Sequence, residues 1–141
     1  VASDEGKNPM SRPRIVIADD HCLIQREIID VLSGTCHIVA SVSDGAAAVA
    51  AVRSTQPDLI VLDIDMPVLD GLQAAKQIRQ EAPDTRIVFL TVHEGRRIFE
   101  AAQKIGCAGF VVKSRLVPDL TKAVEEATAG RCFASPGLAL E

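Results

Sequence analysis

The chain has no tryptophan and no tyrosine, and only four of its 141 residues are phenylalanine. Surfaces that grip single-stranded nucleic acid stack bases on such rings, so that class of function is disfavoured from the start. Positive charge is short as well. Fifteen Lys and Arg against 19 Asp and Glu give a formal net charge of −4, the wrong sign for a domain that holds DNA through its phosphates. Cys22, Cys36, Cys107 and Cys132 are scattered without a C-x-x-C pair. That spacing suggests neither a disulfide framework nor a zinc site, and leaves four small apolar residues. No apolar run reaches membrane-spanning length and no signal-peptide pattern opens the chain, so no membrane contact is expected and the cytoplasm is the default compartment. A dinucleotide fingerprint is missing too, since no G-x-G-x-x-G follows the first apolar run.

What is present is an ordinary globular composition, 48% hydrophobic and 24% charged, in a length that fits one domain with a real core. Val1–Pro13 is polar and aperiodic, with Gly6, Pro9 and Pro13, and reads as a flexible arm. Five β-then-α units follow. Ile15–Ala18 is a short apolar strand ending on Asp19-Asp20, and Ile24, Ile28, Val31 and Leu32 mark one face of a helix that stops near Gly34. His37–Val42 is a second strand, after which Asp44 caps a helix carrying Ala48, Val49 and Val52 that must end before Pro57. Leu59–Leu62 is uninterrupted and apolar, as a strand buried on both faces requires, and it runs straight into Asp63. Pro67 and Asp70-Gly71 force a turn before a helix with Leu72, Ala75 and Ile78. Ile87–Leu90 ends on Thr91, and Ile98, Ala101, Ala102 and Ile105 line a helix closed by Gly106. Phe110–Val112 ends on Lys113, and Pro118 opens a last helix with Leu120, Ala123, Val124 and Ala127 before Gly130. Such alternation predicts a doubly wound α/β fold, a parallel sheet with helices on both faces and a crevice at its carboxyl edge.

Four of the five strands end on a residue able to do chemistry: Asp19-Asp20, Asp63, Thr91 and Lys113. A parallel sheet puts all four ends on one edge. Carboxylates a few ångströms apart repel by about 3–4 kcal/mol per pair at an effective dielectric near 20. Lys113 neutralises one charge, and a hard divalent cation, Mg2+, is the natural complement for the rest. Asp63, already ionised at neutral pH, is then placed to attack phosphorus and form an aspartyl phosphate. Lys113 and the Thr91 hydroxyl are placed to stabilise the transferring group.

The strings Ile15-Val16-Ile17-Ala18-Asp19-Asp20-His21 and Leu62-Asp63-Ile64-Asp65-Met66-Pro67, with Asp70-Gly71, Thr91 and Lys113, resemble the receiver domain of two-component response regulators over roughly Arg14 to Phe133. The resemblance implies a flavodoxin-like (CheY-like) five-stranded sheet in the order 2-1-3-4-5. It implies Asp63 as phosphoacceptor, Asp20 as direct magnesium ligand, Asp19 helping through water, and the Asp65 backbone carbonyl as a further ligand. Thr91 becomes the switch hydroxyl, Lys113 the phosphate-pairing cation, and a sensor histidine kinase the donor. Ala18-Asp19-Asp20-His21, with Ala129-Gly130-Arg131-Cys132-Phe133 and Ser135-Pro136, looks like the NarL/FixJ type. In that type a linker and a LuxR-type helix-turn-helix domain follow. The expected layout is therefore arm 1–13, receiver 14–133, and a tail or linker start at 134–141, with Leu140-Glu141 as a cloning remnant. DNA is expected to be contacted only through a domain absent from this chain, the alternative being a stand-alone receiver that acts by protein–protein contact. Homodimerisation is expected through the fourth helix, fifth strand and fifth helix, or through the first and fifth helices.

Several positions depart from the pattern. Phe110 stands at the switch position where many relatives carry Tyr or His, so no hydroxyl is available to it. Ser114 replaces the proline that follows the lysine in many receivers. Asp65 and His93 lie two residues beyond Asp63 and Thr91 and are expected to tune phosphoryl lifetime, whereas His21 and His37 read as packing or surface residues. One rival shares Asp63-Ile64-Asp65, the D-x-D of haloacid-dehalogenase-type phosphatases, but there the motif precedes the acidic metal pair and here it follows. Another is a degenerate receiver serving only as an interaction module, which the complete set of site residues disfavours.

Overall fold

A computed structural model describes residues 12–93 and 95–136. Its elements run β1 (Arg14–Ala18), α1 (Cys22–Leu32), β2 (His37–Val42), α2 (Gly45–Thr55), β3 (Leu59–Asp63), α3 (Gly71–Glu81), β4 (Arg86–Thr91), α4 (Arg96–Ile105), β5 (Gly109–Val112), α5 (Leu116–Thr128) and β6 (Phe133–Ala134). All strands are parallel, in the order β2-β1-β3-β4-β5-β6. The five predicted strands and five predicted helices are all present. Residues 1–11 and 137–141, which hold most of the expected arm and the expected Leu140-Glu141 remnant, lie outside the described residues.

The apolar pattern sorts directly into two layers. Val16, Ile60, Leu62, Phe89 and Phe110 face α2, α3 and α4, whereas Ile15, Ile17, Val61, Leu90 and Val111 face α1 and α5. Alternate residues of one strand feed opposite cores, which is why β3 is buried at every position and reads as a continuous apolar run. Asp44 caps α2 by accepting from the Ala47 N–H at 2.8 Å, and Asp70 caps α3 from Gln73 at 2.9 Å. Gly71 is obligatory. A Cβ there would lie 2.1 Å from the Asp63 carbonyl oxygen, so α3 can begin directly against the end of β3 only without a side chain.

The structure differs from the sequence reading in two places, the sheet's outer edge and the start of the last helix. A sixth, two-residue strand extends the sheet, and Ala134 and Ser135, read as the head of the tail, are part of it or packed on it. Two residues are too few for any periodicity to register. The last helix begins at Leu116, after a 3-10 turn over Lys113–Arg115, and Pro118 sits inside its first turn. Its missing N–H costs nothing there, because the first four helical amides have no intrahelical partner. Lys113–Ser114 is an ordinary trans bond, as are all those among the described residues.

Candidate functional site

Strand ends deliver the site. β1 hands over to Asp19, β3 ends on Asp63, β4 on Thr91, and Lys113 follows β5. Asp19, Asp63 and Thr91 are at most 1% exposed. Lys113 Nζ lies 2.9 Å from Asp19 Oδ2 and 3.3 Å from Asp63 Oδ2. Apart from this ammonium, both oxygens are buried without a partner. The other oxygens are held by backbone: Asp19 Oδ1 accepts from His21 N at 2.8 Å, and Asp63 Oδ1 from Asp65 N at 3.2 Å. Thr91 Oγ1 accepts from His93 N at 2.9 Å, which leaves its own proton free to donate outward.

Burial raises the Asp63 pKa from 3.8 to about 6, and the neighbouring Asp19 charge pushes it the same way against the pull of Lys113. Burial acts to lower Lys113, but Asp19 and Asp63 outweigh it and its pKa ends up raised. The cluster is thus short of positive charge. One ligand atom from each of Asp19, Asp20, His21 and Asp63 lies within 4.8 Å of the others. Two buried carboxylate oxygens that share a single ammonium, in an oxygen-rich set, fit a hard divalent cation such as Mg2+.

Every strand-end residue singled out from sequence is therefore in one place. Asp65 and His93 form a pair of their own, His93 Nε2 lying 2.7 Å from Asp65 Oδ2 across partly exposed positions. Phe110 is 1% exposed and meets Phe99 of α4 edge-on, with centroids 5.2 Å apart and planes at 86°. His21 is more than the surface residue expected: its Nδ1 lies 3.1 Å from Asp20 Oδ1 and 3.3 Å from Asp19 Oδ1. Gln25 was not foreseen at all. Its Nε2 donates to the Asp19 carbonyl, to Val42 O at 3.0 Å and to Ser43 Oγ at 3.3 Å, while its Oε1 accepts from Ser41 Oγ at 3.0 Å. This one amide ties the loop after β1 to the end of β2. A glutamine within a helical pattern carries no sequence signal for such a role.

Away from this edge, a concavity of about 340 Å3 between the loops after α3, α4 and α5 contains Cys107 and Cys132. All four cysteines are free. Burial, with Cys132 nearby, pushes the Cys107 thiol up to about 11, and such a thiol is unreactive.

The model of the response regulator receiver domain matches residues 15–125. The chain belongs to that family. Among curated relatives it is 34% identical over 134 residues to the "Probable transcriptional regulatory protein NarL" of Mycobacterium tuberculosis, a match that spans 93% of this chain and 62% of that protein. Among solved structures it resembles a LuxR-family two-component response regulator from Aurantimonas sp. SI85-9A1, with a TM-score of 0.88, 32% identity and coverage of 93% of this chain and 95% of that one. It also resembles the signal receiver domain of NarL from M. tuberculosis, with a TM-score of 0.81, 35% identity and coverage of 86% and 99%. The chain is a receiver domain of the NarL/LuxR type, with a sheet order that extends the expected 2-1-3-4-5 by one strand. Receivers of this family generally bind Mg2+ at an acidic pocket, and Asp19, Asp20, His21 and Asp63 form a cluster here. No helix among the described residues is long and apolar enough to cross a membrane.

Proposed function

We propose that Asp63 is the phosphoryl acceptor of this receiver. The observation that carries the reading is a buried acid at the end of the central strand, raised in pKa, faced by Asp19 and an ammonium, with two buried oxygens that share that ammonium as their one partner. An Asp63 carboxylate oxygen attacks phosphorus on a phosphohistidine of a sensor kinase. A P–O bond forms, the P–N bond breaks, and the electron pair leaves with the imidazole. Lys113 Nζ, held between Asp19 and Asp63, offsets charge on the equatorial oxygens, and the Thr91 hydroxyl donates to one of them. Asp19, Asp20, Asp63 and the Asp65 backbone carbonyl would hold Mg2+, which when bound supplies charge neutralisation for the carboxylates and the phosphoryl oxygens. The Asp65–His93 pair, placed over the site, tunes the lifetime of the product.

The partner reading has support on the surface. Leu23, Val68, Val92 and Val117 are the large apolar side chains most exposed among the described residues. They belong to the segments that follow β1, β3, β4 and β5, at the sheet edge that carries the acids, and supply apolar contacts for docking of the kinase. The chain spans about three-fifths of its NarL relative. By that likeness the whole protein is a cytoplasmic transcription regulator acting through a helix-turn-helix domain, with self-association through α4–β5–α5 or α1 and α5 as its dimer face.

Intact-mass analysis after treatment with acetyl phosphate and Mg2+ tests the acceptor. The expected result is one phosphoryl group per chain, lost slowly, and none on Asp63→Asn. Steady turnover of many phosphate esters per chain would instead favour the phosphatase reading. Altered decay in Asp65→Asn or His93→Ala is the mark of tuning.

A further inference from the structure

Six polar side chains are buried among the described residues. Asp19, Asp63 and Thr91 belong to the site, and Thr85 donates to Pro57 O at 3.1 Å. The remaining two, Asp119 and Ser135, are bonded to each other, Ser135 Oγ donating to Asp119 Oδ2 at 2.8 Å. The same Oγ accepts from the Val112 N–H at 3.1 Å. β6 stops at Ala134, so the last amide on the outer edge of β5 has no strand carbonyl to meet, and the serine hydroxyl takes that place. Ser135 N in turn donates to Phe110 O at 2.9 Å. Asp119 is gripped from its other side by Arg115, Nε to Oδ2 at 2.8 Å and Nη2 to Oδ1 at 3.2 Å. Arg115 closes the 3-10 turn that opens at Lys113.

The bracket therefore pins Lys113 from both directions. The residue before it is held by Ser135, and the turn that begins with it is held through Arg115 and Asp119. Val112 is also registered against Thr91 of β4, so its backbone lies between the Thr91 strand end on one side and Ser135 on the other.

We propose that Asp119 and Ser135 are positioning residues for Lys113, and that docking of the 133–135 strap and capture of a phosphoryl anion at Asp63 favour each other. The inference rests on the reading of Asp63 as acceptor. An anion that holds Lys113 in one place also holds the β5 end in the geometry Ser135 needs, and a linkage of this kind is reciprocal. Whatever follows the strap in the chain thereby gains a direct mechanical connection to the site, on the sheet edge rather than through a helix face.

Beryllium trifluoride with Mg2+, added to the whole chain and followed by amide NMR and hydrogen exchange, provides the test. In the unaltered chain binding is expected to shift site amides and to raise protection at Val112 and Ser135. Ser135→Ala and Asp119→Asn are expected to weaken binding about five-fold or more, and Ser135→Thr, which keeps the hydroxyl, to restore most of it. A clasp that is merely structural lowers the melting temperature of these variants but leaves the affinity of the folded protein unchanged, and that result overturns the proposal. Protection at Ser135 unmoved by binding overturns it as well, with no substitution needed. A folded wild type that binds no beryllium trifluoride removes the acceptor reading itself, and the inference with it.

Discussion

Asp63 spends folding stability to be where it is. Its pKa of about 6 against an ordinary 3.8 means that the folded chain binds this proton more tightly than the unfolded one. The stabilising contribution is complete below pH 3.8 and is lost as pH rises through 6, beyond which a buried charge remains. Asp63→Asn is therefore expected to raise stability at pH 7.5 in chelator by about 1–3 kcal/mol, a gain that shrinks towards pH 4.5. Urea unfolding at the two pH values measures it; an equal gain at both would assign it to something other than the charge. At this scale the sequence was informative where a polar residue ended an apolar run. Asp19, Asp20, Asp63, Thr91 and Lys113 all announce themselves that way. Gln25 and the contact between Asp65 and His93 did not, because hydrogen bonds across loops leave no periodic trace.

Among elements, the loop from β3 to α3 holds a strained residue near the site. Val68 has φ 71°, a left-handed conformation that a β-branched side chain resists, and Leu69 N bonds to Pro67 O at 2.7 Å around it, forming a γ-turn. Its side chain is 81% exposed, so packing does not account for the choice. Val68→Gly is expected to stabilise the domain by about 1 kcal/mol, strain relief exceeding the added entropy of the unfolded chain. Thermal denaturation checks this, and a fall in melting temperature would show that the turn is unstrained. Helices were legible because apolar residues recur at i, i+3 and i+4, and most strands because an uninterrupted apolar run of about four residues, bounded by polar and turn residues, is too short for a helix. The start of α5 was misplaced because proline is tolerated anywhere in a first turn, and β6 was missed because pairing with β5, rather than its own sequence, makes it a strand.

For the molecule as a whole, the two-layer packing leaves one edge of the sheet for chemistry, and the segments that follow the strands there carry the exposed apolar side chains Leu23, Val68, Val92 and Val117. Charge placed on these side chains is expected to separate docking from chemistry. Leu23→Glu and Val92→Glu should slow phosphoryl transfer from a phosphorylated kinase about tenfold, with a much smaller effect on labelling by acetyl phosphate. Equal slowing of both would mean that these residues serve the site rather than a partner. The architecture itself was the most legible feature, since alternating strand and helix signals leave few topologies open.

The Gln25 amide has a chemical consequence of its own. Its two hydrogens are shared among three oxygen acceptors, so hydrolysis of that one group would turn a donor towards the Asp19 carbonyl into a negatively charged acceptor. A single deamidation would remove the side-chain half of that fastening and leave the Asp19 N–H to Val42 O bond at 3.1 Å to join the first loop to the second strand.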